Sequence, residues 1–474
     1  MKRLLRWGRN FFAIWGILFF LLCVTLVVAF NSLQKIESPE LPDDIILTAT
    51  FEGDVPEVFG TPDFTSPFLM NSTRLQDIIA GLDAGRDDPR VQGFAARIRP
   101  NSLSIAQVQE LRAAIARFRA SGKRTQVFAT AYGDFSNGMS AYYLASAFEN
   151  IWLQPIGNVS ITGLAGQLPF FKETLDKIGV TADMSARAAY KTAVEPMTRN
   201  SPTEQNSEMT QRILRTVYGQ MVWGMAEARN MEPAALAELV DQAPLTAPQA
   251  LAAGLVDHIG YLDQMVDSVK AGPDETDTSE DTAQLLDISY YMSGSRQDDR
   301  VKMLEERFTA ARDDNEKTDF PADTLAVIYA SGAIVQGDTN DVSAPLAPIG
   351  GGPVISAERL TSAIHGAHEN PRVGAILLRI DSPGGSATAS ETIARALERA
   401  QANGKPVIIS MSGAAASGGY WIAAKADKIY AQPATLTGSI GVLGGKISIG
   451  EMLDKIGVNV VEYNYGRYAG LWSS

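Results

Sequence analysis

Cysteine and histidine are scarce in this chain of 474 residues. The single cysteine, Cys23, lies in an apolar run, which argues against disulfides, thiol catalysis and cysteine zinc sites. Of the three histidines, His365 and His368 stand three apart in a predicted amphipathic helix without an H-E-x-x-H pattern, so a solvated helix face explains them better than a metal. We therefore predict no metal and no cofactor. The scarcity of histidine also argues against a Ser-His-Asp triad.

Basic residues are too few for a nucleic-acid partner. Lysine and arginine number 41 against 54 acidic residues, which gives a formal net charge of −13. Binding to phosphates needs a basic face, so no nucleic acid is expected as a partner. Five acidic residues fall within 274–281 among threonine and serine, and this composition indicates an exposed linker.

Charge is missing altogether from residues 11–30, an apolar run of 20 positions. That length matches the hydrocarbon core of a bilayer when the run is helical. Four basic residues precede the run, so the positive-inside rule places the N-terminus in the cytoplasm and everything after the run on the opposite side. We predict an uncleaved transmembrane anchor. A cleaved signal peptide is the alternative, but the run exceeds the usual apolar core of about 7–15 residues and no clear A-x-A site follows.

Two sequence patterns recur in the second half of the chain and indicate an internal duplication. Asp-Pro-Arg-Val at 88–91 returns as Asn-Pro-Arg-Val at 370–373. Leu-Asp-Lys-Ile-Gly-Val at 175–180 returns unchanged at 453–458. Each copy alternates short β-branched runs with helical stretches, which predicts βαβ crossovers, a largely parallel sheet and an α/β fold class.

The duplication also sets the predicted domain borders. We predict a cytoplasmic basic tail at 1–10, the anchor at 11–30, a first repeat domain at 44–270, an acidic linker at 271–323 and a second repeat domain at 324–474. The second copy stops where the first enters its helices, so we expect a truncated chain whose C-terminal helices are missing.

Two reactive residues occur in only one copy each. When the copies are aligned, Lys191 faces Ala469 and Ser417 faces Met139. Serine is a weak nucleophile until a base removes its proton. Lysine can be that base where an apolar site lowers its pKa from about 10.4 towards about 7–8. We therefore predict one composite site with a catalytic dyad of Ser417 and Lys191. If each residue is considered alone, Lys191 could be an ordinary surface lysine, and Ser417 could be the N-cap of a helix or part of a turn.

A glycine-rich turn and a second serine complete the predicted site. Gly384 and Gly385 lie between a predicted strand and a helix, and the first copy lacks this glycine pair. We predict that one of them and Gly418 supply the N–H groups of an oxyanion hole; an ordinary strand-to-helix turn is the alternative. Ser439 faces Ile161 in the first copy. A hydrogen bond from this serine would orient a neutral lysine, and a turn serine is the alternative.

Four motifs, in order along the chain, resemble the signal peptide peptidase A family in its long, duplicated bacterial form. They lie at Tyr190–Pro196, Ser382–Ser386, Ala416–Trp421 and Leu436–Gly441. The resemblance implies a duplicated Clp-protease/crotonase-like fold behind one transmembrane helix. It also implies a membrane-bound serine endopeptidase acting on released signal peptides, with Ser417 as nucleophile, Lys191 as general base and Ser439 assisting the lysine.

The same resemblance implies an assembly and a location. Family members of this type form a bowl-shaped homotetramer with active sites on its inner face. The expected partners are therefore cleaved signal peptides and the membrane, and the expected location is the bacterial inner membrane with a periplasmic catalytic domain. Two rival functions stay open: a crotonase-like enzyme acting on acyl thioesters, which shares the fold and the oxyanion geometry, and an inactive membrane-anchored scaffold.

Overall fold

A computed structural model describes residues 41–53, 55–57, 74–134, 136–271, 283–292, 324–337, 353–471 and 473. The predicted cytoplasmic tail and transmembrane anchor lie outside these residues, as does most of the predicted acidic linker. Within these ranges, no helix has both the length and the hydropathy that a bilayer span requires.

The first half of the chain alternates strands and helices. In chain order its elements are β1 (Ile45–Gly53), α1 (Leu75–Asp87), β2 (Val91–Asn101), α2 (Ile105–Arg119), β3 (Arg124–Ala129), α3 (Met139–Ala145), β4 (Asn150–Leu153), β5 (Asn158–Val159), α4 (Lys172–Ile178), β6 (Thr181–Ala186), α5 (Glu195–Thr198), α6 (Glu204–Ala228), α7 (Pro233–Gln242), β7 (Leu245–Thr246), α8 (Ala247–Ala252), β8 (His258–Ile259), α9 (Leu262–Ala271) and β9 (Gln284–Asp287).

The second half follows the same alternation. Its elements are β10 (Thr324–Ser331), β11 (Ala333–Val335), β12 (Val354–Ser356), α10 (Ala357–Glu369), β13 (Val373–Ser382), α11 (Ala387–Ala402), β14 (Val407–Ala416), α12 (Gly418–Ala423), β15 (Lys428–Tyr430), β16 (Leu436–Gly438), β17 (Leu443–Ser448) and α13 (Gly450–Lys455). The α/β class predicted from the sequence is confirmed.

Six parallel strands form the first sheet, in the spatial order β8-β4-β3-β2-β1-β9. Both faces are covered, because alternate residues of one strand enter different cores. Leu47 of β1 packs into the main core with α1, α2 and α3, whereas its neighbour Ile46 packs with Met265 and Val269 of α9. A strand buried on both faces needs the near-continuous apolar run that the sequence shows here.

One strand of this sheet lies inside the segment predicted to be linker. Residues 284–287 form β9, which pairs in parallel with β1 from Ile45 to Thr48. The leucine pair at 285–286 gives this short segment an apolar surface, and the edge of β1 offers unpaired backbone groups. The first folded unit therefore extends past the predicted border at residue 270.

The second sheet is built on the parallel order β10-β13-β14-β15, and β16 also pairs with β14. Its core lies between this sheet and helices α10 and α11. Helix α11 begins at Ala387, because Ser386 caps it by accepting a hydrogen bond from the Ala389 N–H at 3.3 Å. Strand β14 extends to Ala416 and so ends directly before Ser417.

One strand pair joins the two halves of the chain. Strand β6 of the first half pairs antiparallel with β17 of the second, from Thr181 opposite Ser448 to Ala186 opposite Leu443. This pairing fixes where the chain leaves β6. The segment that follows β6 carries Lys191, so the pairing delivers a residue of the first half to the second sheet.

Candidate active site

Ser417 stands at a sharp turn between β14 and α12. Its φ of 53° and ψ of −115° lie in a region that residues with a side chain rarely adopt, and such strain concentrates at functional sites. The Ser417 N–H donates to the Gly438 carbonyl at 2.9 Å, which ties the turn to the end of β16. Although Ser417 occupies the N-cap position of α12, its side chain makes no capping hydrogen bond in the described structure. The hydroxyl is directed elsewhere.

Ser439 lies beside Ser417 because the strands that precede them are paired. Strands β14 and β16 run parallel, with Ala416 opposite Gly438. The carboxyl ends of parallel strands meet at one edge of a sheet, so the next residue of each strand, Ser417 or Ser439, lies at that edge. Ser439 also has a positive φ, 48°, which turns the chain away from the sheet.

Lys191 reaches the same edge from the first half of the chain. After β6, the Arg187 N–H donates to the Val442 carbonyl at 2.8 Å and so continues the pairing with the second half. The chain then turns at Ala188, whose φ is 81°, and the Lys191 N–H closes the turn on the Ala188 carbonyl at 3.1 Å. The lysine side chain is directed from this turn towards the two serines.

The three predicted side chains meet at the Lys191 amine. Its Nζ lies 3.0 Å from Ser417 Oγ, 3.1 Å from Ser439 Oγ and 2.6 Å from the Ser439 carbonyl oxygen. Only 6% of Lys191 is exposed. Burial lowers the pKa of Lys191, because removal from water penalises the charged form. Burial therefore shifts the amine towards its neutral form, next to a serine hydroxyl.

The turn at Gly384 and Gly385 lies against the turn that carries Ser417, but the two glycines differ in their hydrogen bonds. The Gly384 N–H donates to Ser382 Oγ at 3.1 Å and is therefore already engaged. The Ile334 N–H donates to the Gly384 carbonyl, and the Ser386 N–H donates to the Ile334 carbonyl, both at 2.9 Å. In the described structure the Gly385 N–H between them has no hydrogen-bond acceptor. Gly418 opens α12, and the first N–H groups of a helix have no partner within it.

The close approach of the two turns bears on which glycine could donate to an oxyanion together with Gly418. A Cβ built on Gly384 would lie 2.7 Å from the Gly418 nitrogen and 2.7 Å from Ser417 Cβ. A Cβ built on Gly418 would lie 3.2 Å from the Gly385 nitrogen. The backbone at Gly384 and Gly385 and the backbone at Ser417 and Gly418 are thus in close contact. Of the two glycines considered from the sequence, Gly385 is the one that fits as a donor beside Gly418.

Two polar residues that support this turn were given no role from the sequence. Ser382 accepts from Gly384 and donates to the Gly332 carbonyl at 2.7 Å, and it is fully buried. Asp381 accepts from the Ala414 N–H at 2.9 Å, close to the end of β14. The sequence places both residues at the end of an apolar strand, where a polar side chain is buried. Because a buried polar side chain needs a hydrogen-bond partner, this position indicates that both residues hold neighbouring backbone in place.

An open cavity of about 1110 Å³ runs over the Lys191–Ser417 contact. Among its apolar wall residues are Ile334, Val335, Trp421, Ile440, Val442 and Leu443. Two cationic side chains, Arg187 and Lys425, also line it, and none of the three histidines does. In the described ranges, no three His, Cys, Asp or Glu side chains cluster where they could hold a metal ion.

Comparison with known proteins places this arrangement in a family. The model of peptidase family S49 matches residues 121–274 and 399–474, which include Lys191, Ser417 and Ser439. The chain belongs to peptidase family S49. The resemblance to signal peptide peptidase A is thereby confirmed, and with it the Clp-protease-like character of the α/β fold.

Three relatives of the S49 chain illustrate the likeness. "Protease 4" of Haemophilus influenzae is 32% identical over 389 residues, and "Protease 4" of Salmonella typhi is 33% identical over 409 residues. "Serine protease SPPA, chloroplastic" of Arabidopsis thaliana is 31% identical over 384 residues. These alignments cover 81%, 83% and 81% of the chain, but only 58%, 59% and 52% of the respective relatives. The chain therefore spans little more than half the length of these proteins.

Proposed function

We propose that this chain carries the active site of a serine endopeptidase in which Ser417 is the nucleophile and Lys191 the general base. The observation that carries the proposal is the 3.0 Å contact between the buried Lys191 Nζ and Ser417 Oγ. Membership of peptidase family S49 and the names of the relatives, "Protease 4" and "Serine protease SPPA, chloroplastic", support the same activity.

The contacts of Lys191 fit a neutral amine. A neutral amine has two N–H groups and one lone pair. The two N–H groups are satisfied by the carbonyl and the Oγ of Ser439, at 2.6 and 3.1 Å. The lone pair then faces the Ser417 hydroxyl and can accept its proton. Ser439 is thus proposed to orient the base without adding a charge.

The reaction follows from this arrangement. Ser417 Oγ attacks the carbonyl carbon of the scissile amide while its proton passes to Lys191 Nζ. The carbonyl oxygen becomes an oxyanion, which the N–H groups of Gly385 and Gly418 are placed to receive. Lys191 then returns the proton to the leaving nitrogen, so the amine departs and an ester on Ser417 remains. A water molecule, activated by Lys191, hydrolyses that ester and restores the serine.

The walls of the cavity favour apolar peptides. Exposed apolar side chains include Ile440, which is 69% exposed, and neighbours on the same segment. A segment of substrate that covers these residues removes apolar surface from water on both partners. Signal peptides released into the membrane have an apolar core, so we propose them as substrates, together with similar apolar peptides. The resemblance to signal peptide peptidase A supports this choice.

The proposed setting is the bacterial inner membrane. The uncharged run at 11–30, with basic residues before it, supports a single anchor whose N-terminus is cytoplasmic and whose catalytic domain is periplasmic. We also propose a homotetramer, on the strength of the family resemblance. Fractionation of cells, with protease accessibility from the periplasmic side, tests the placement. Mass photometry of the detergent-solubilised protein tests the assembly.

The activity itself is tested with a serine-reactive fluorophosphonate and a quenched peptide with an apolar sequence. We expect labelling and hydrolysis by the wild-type protein, and neither by Ser417→Ala. Labelling that persists in Ser417→Ala would refute the assigned nucleophile. Hydrolysis of an acyl-CoA in place of the peptide would instead favour the crotonase-like alternative, and a lack of both activities would favour a scaffold.

A further inference from the structure

The position of Lys191 depends on the segment that joins β6 to α6, residues 187–203, which is referred to below as the lysine loop. This loop contains no regular structure except the single turn α5. A lysine side chain has four rotatable bonds, so its amine is held only as firmly as the backbone that carries it. The contacts that fix the backbone of the lysine loop therefore determine where the Lys191 amine lies relative to Ser417.

The Glu195 side chain of the lysine loop is held by three hydrogen bonds. Its carboxylate accepts hydrogen bonds from the Thr203 N–H at 3.1 Å, the Thr203 hydroxyl at 2.6 Å and the Asn206 side-chain amide at 2.9 Å. All three donors lie in the cap or first turn of α6, a helix of 25 residues. Glu195 is only 7% exposed, and charge-assisted hydrogen bonds of this kind are stronger than neutral ones.

The helix that receives Glu195 is itself fixed in the molecule. Met221, Val222 and Met225 of α6 are buried in the main core of the first half. The N–H groups at the start of a helix carry a partial positive charge, which favours a carboxylate there. The Glu195 carboxylate therefore connects the lysine loop to a rigid element, four residues after Lys191 in the chain.

The Glu195 carboxylate is hydrogen-bonded to the start of α6, whereas the Lys191 amine contacts Ser417 and Ser439. Burial raises the pKa of Glu195, but the hydrogen bonds from Thr203 and Asn206, with the charge of Arg199, outweigh it and hold that pKa below its usual value. The pKa of Lys191 is lowered by burial. A negative charge acting on the amine would have raised it instead.

We infer that Glu195 is a positioning residue, which holds the Lys191 amine against Ser417 by fastening the lysine loop to the start of α6. The inference rests on the proposed roles of Lys191 and Ser417. Loosening the loop would have two linked effects on the enzyme. The distance from Nζ to Oγ would increase, and a displacement of about 1 Å can cost about 100-fold in rate. The amine would also gain water, which raises its pKa towards that of a free lysine.

Two substitutions of Glu195 distinguish the effect of its hydrogen bonds from the effect of its negative charge. Glu195→Gln keeps the contacts, because the amide oxygen can accept from the Thr203 N–H and Asn206 while the amide nitrogen donates to the Thr203 hydroxyl. Glu195→Ala removes every contact. Tyr190→Phe is the matched control on the same loop, since it removes the hydrogen bond from the Tyr190 hydroxyl to Glu208 at 2.8 Å, where Tyr190 is 52% exposed.

The readouts are kcat, KM and the pH dependence of kcat/KM for peptide hydrolysis, at a temperature where circular dichroism shows each variant folded. We expect kcat of Glu195→Ala to fall about 100-fold with KM within threefold, and the ascending pH limb to move to higher pH. We expect Glu195→Gln and Tyr190→Phe to stay within about threefold of wild type, with the limb unmoved.

Each contrary result has a definite meaning. If folded Glu195→Ala keeps the wild-type kcat and pH limb, Glu195 is merely structural and the inference fails. If Glu195→Gln loses as much as Glu195→Ala and its pH limb moves to lower pH, the carboxylate charge acts on Lys191 directly and the inference also fails. If Ser417→Ala retains hydrolysis in the same assay, the proposed function has failed, which is a separate outcome.

Discussion

Gly384 is the position at which a single methyl group would disturb the proposed oxyanion donors. Its φ is 101°, and a Cβ there would lie 2.7 Å from the Gly418 nitrogen, 2.7 Å from Ser417 Cβ and 2.8 Å from the Ala416 carbonyl oxygen. None of these atoms is the end of a flexible side chain, so one of the two turns must move. Loss of one oxyanion donor typically lowers kcat about 10²–10³-fold, and we expect Gly384→Ala to do the same.

Gly404→Ala separates this clash from the cost of the backbone conformation. Gly404 follows α11 with a φ of 79°, and a Cβ there would meet no atom within 4 Å. Both substitutions place alanine at a positive φ, which costs about 1 kcal/mol of stability. Only Gly384→Ala adds steric overlap with the site. We therefore expect Gly404→Ala to lower the melting temperature slightly and to leave kcat unchanged.

The assay is hydrolysis of a quenched peptide by both variants, together with thermal unfolding. Gly384→Ala should lose kcat far beyond any loss of folded protein, because the displaced N–H is one of the proposed donors to the transition-state oxyanion. If both variants lose the same small fraction of kcat, Gly384 does not constrain the donors and the assignment of Gly418 as a donor would be refuted.

The remaining predictions concern the dyad and the interior. Ser417→Ala and Lys191→Ala should each abolish peptide hydrolysis, and the double variant should lose little more; independent, multiplying losses would contradict the dyad. Lys191→Arg should be inactive, because guanidinium stays protonated. Ser439→Ala should lower kcat only about tenfold, because the backbone carbonyl still holds the lysine at 2.6 Å. Activity should rise with pH through the lowered pKa of Lys191, whereas a limb near about pH 4–5 would implicate a carboxylate base. Arg379→Met should destabilise the fold by about 3–5 kcal/mol in urea titrations, since buried glutamates lose their cation; an unchanged midpoint would contradict this.

Local structure and the site residues could be read from the sequence because their signals are local. The largely apolar run from Val373 to Ile380 can bury both faces of a strand, and it forms β13. The comparison of the two copies singled out Lys191, Ser417 and Ser439 because each copy lacks what the other has. The structure then brings these three together around one amine. Their catalytic roles stay a proposal.

The remaining features depend on contacts between distant segments. The pairing of β6 with β17 joins Ala186 to Leu443, and β9 joins the first sheet from within an acidic segment. No local pattern specifies either partner, because a short edge strand takes whichever free edge the folded chain presents. Likewise, Gly385 is preferred to Gly384 as an oxyanion donor because the Gly384 N–H is hydrogen-bonded to Ser382 Oγ at 3.1 Å. A distance of this kind between two atoms cannot be read from the sequence.

A site assembled from two halves needs those halves held in register, and a buried ion cluster does this. Arg379 of β13 donates to Glu57 at 2.9 Å and to Glu110 at 2.7 Å, both in the first half, and the Ser412 hydroxyl of β14 also donates to Glu57. Apolar contacts tolerate sliding, whereas a bidentate guanidinium fixes direction and distance. The regular pairing of β13 with β14 is interrupted between Ile380 and Ser382, beside Ser412. The cluster therefore anchors the first half to the part of β14 that leads into Ser417. Because β6 and β17 hold the lysine segment from the other side, the distance from amine to hydroxyl depends on connections between the halves on both sides of the site.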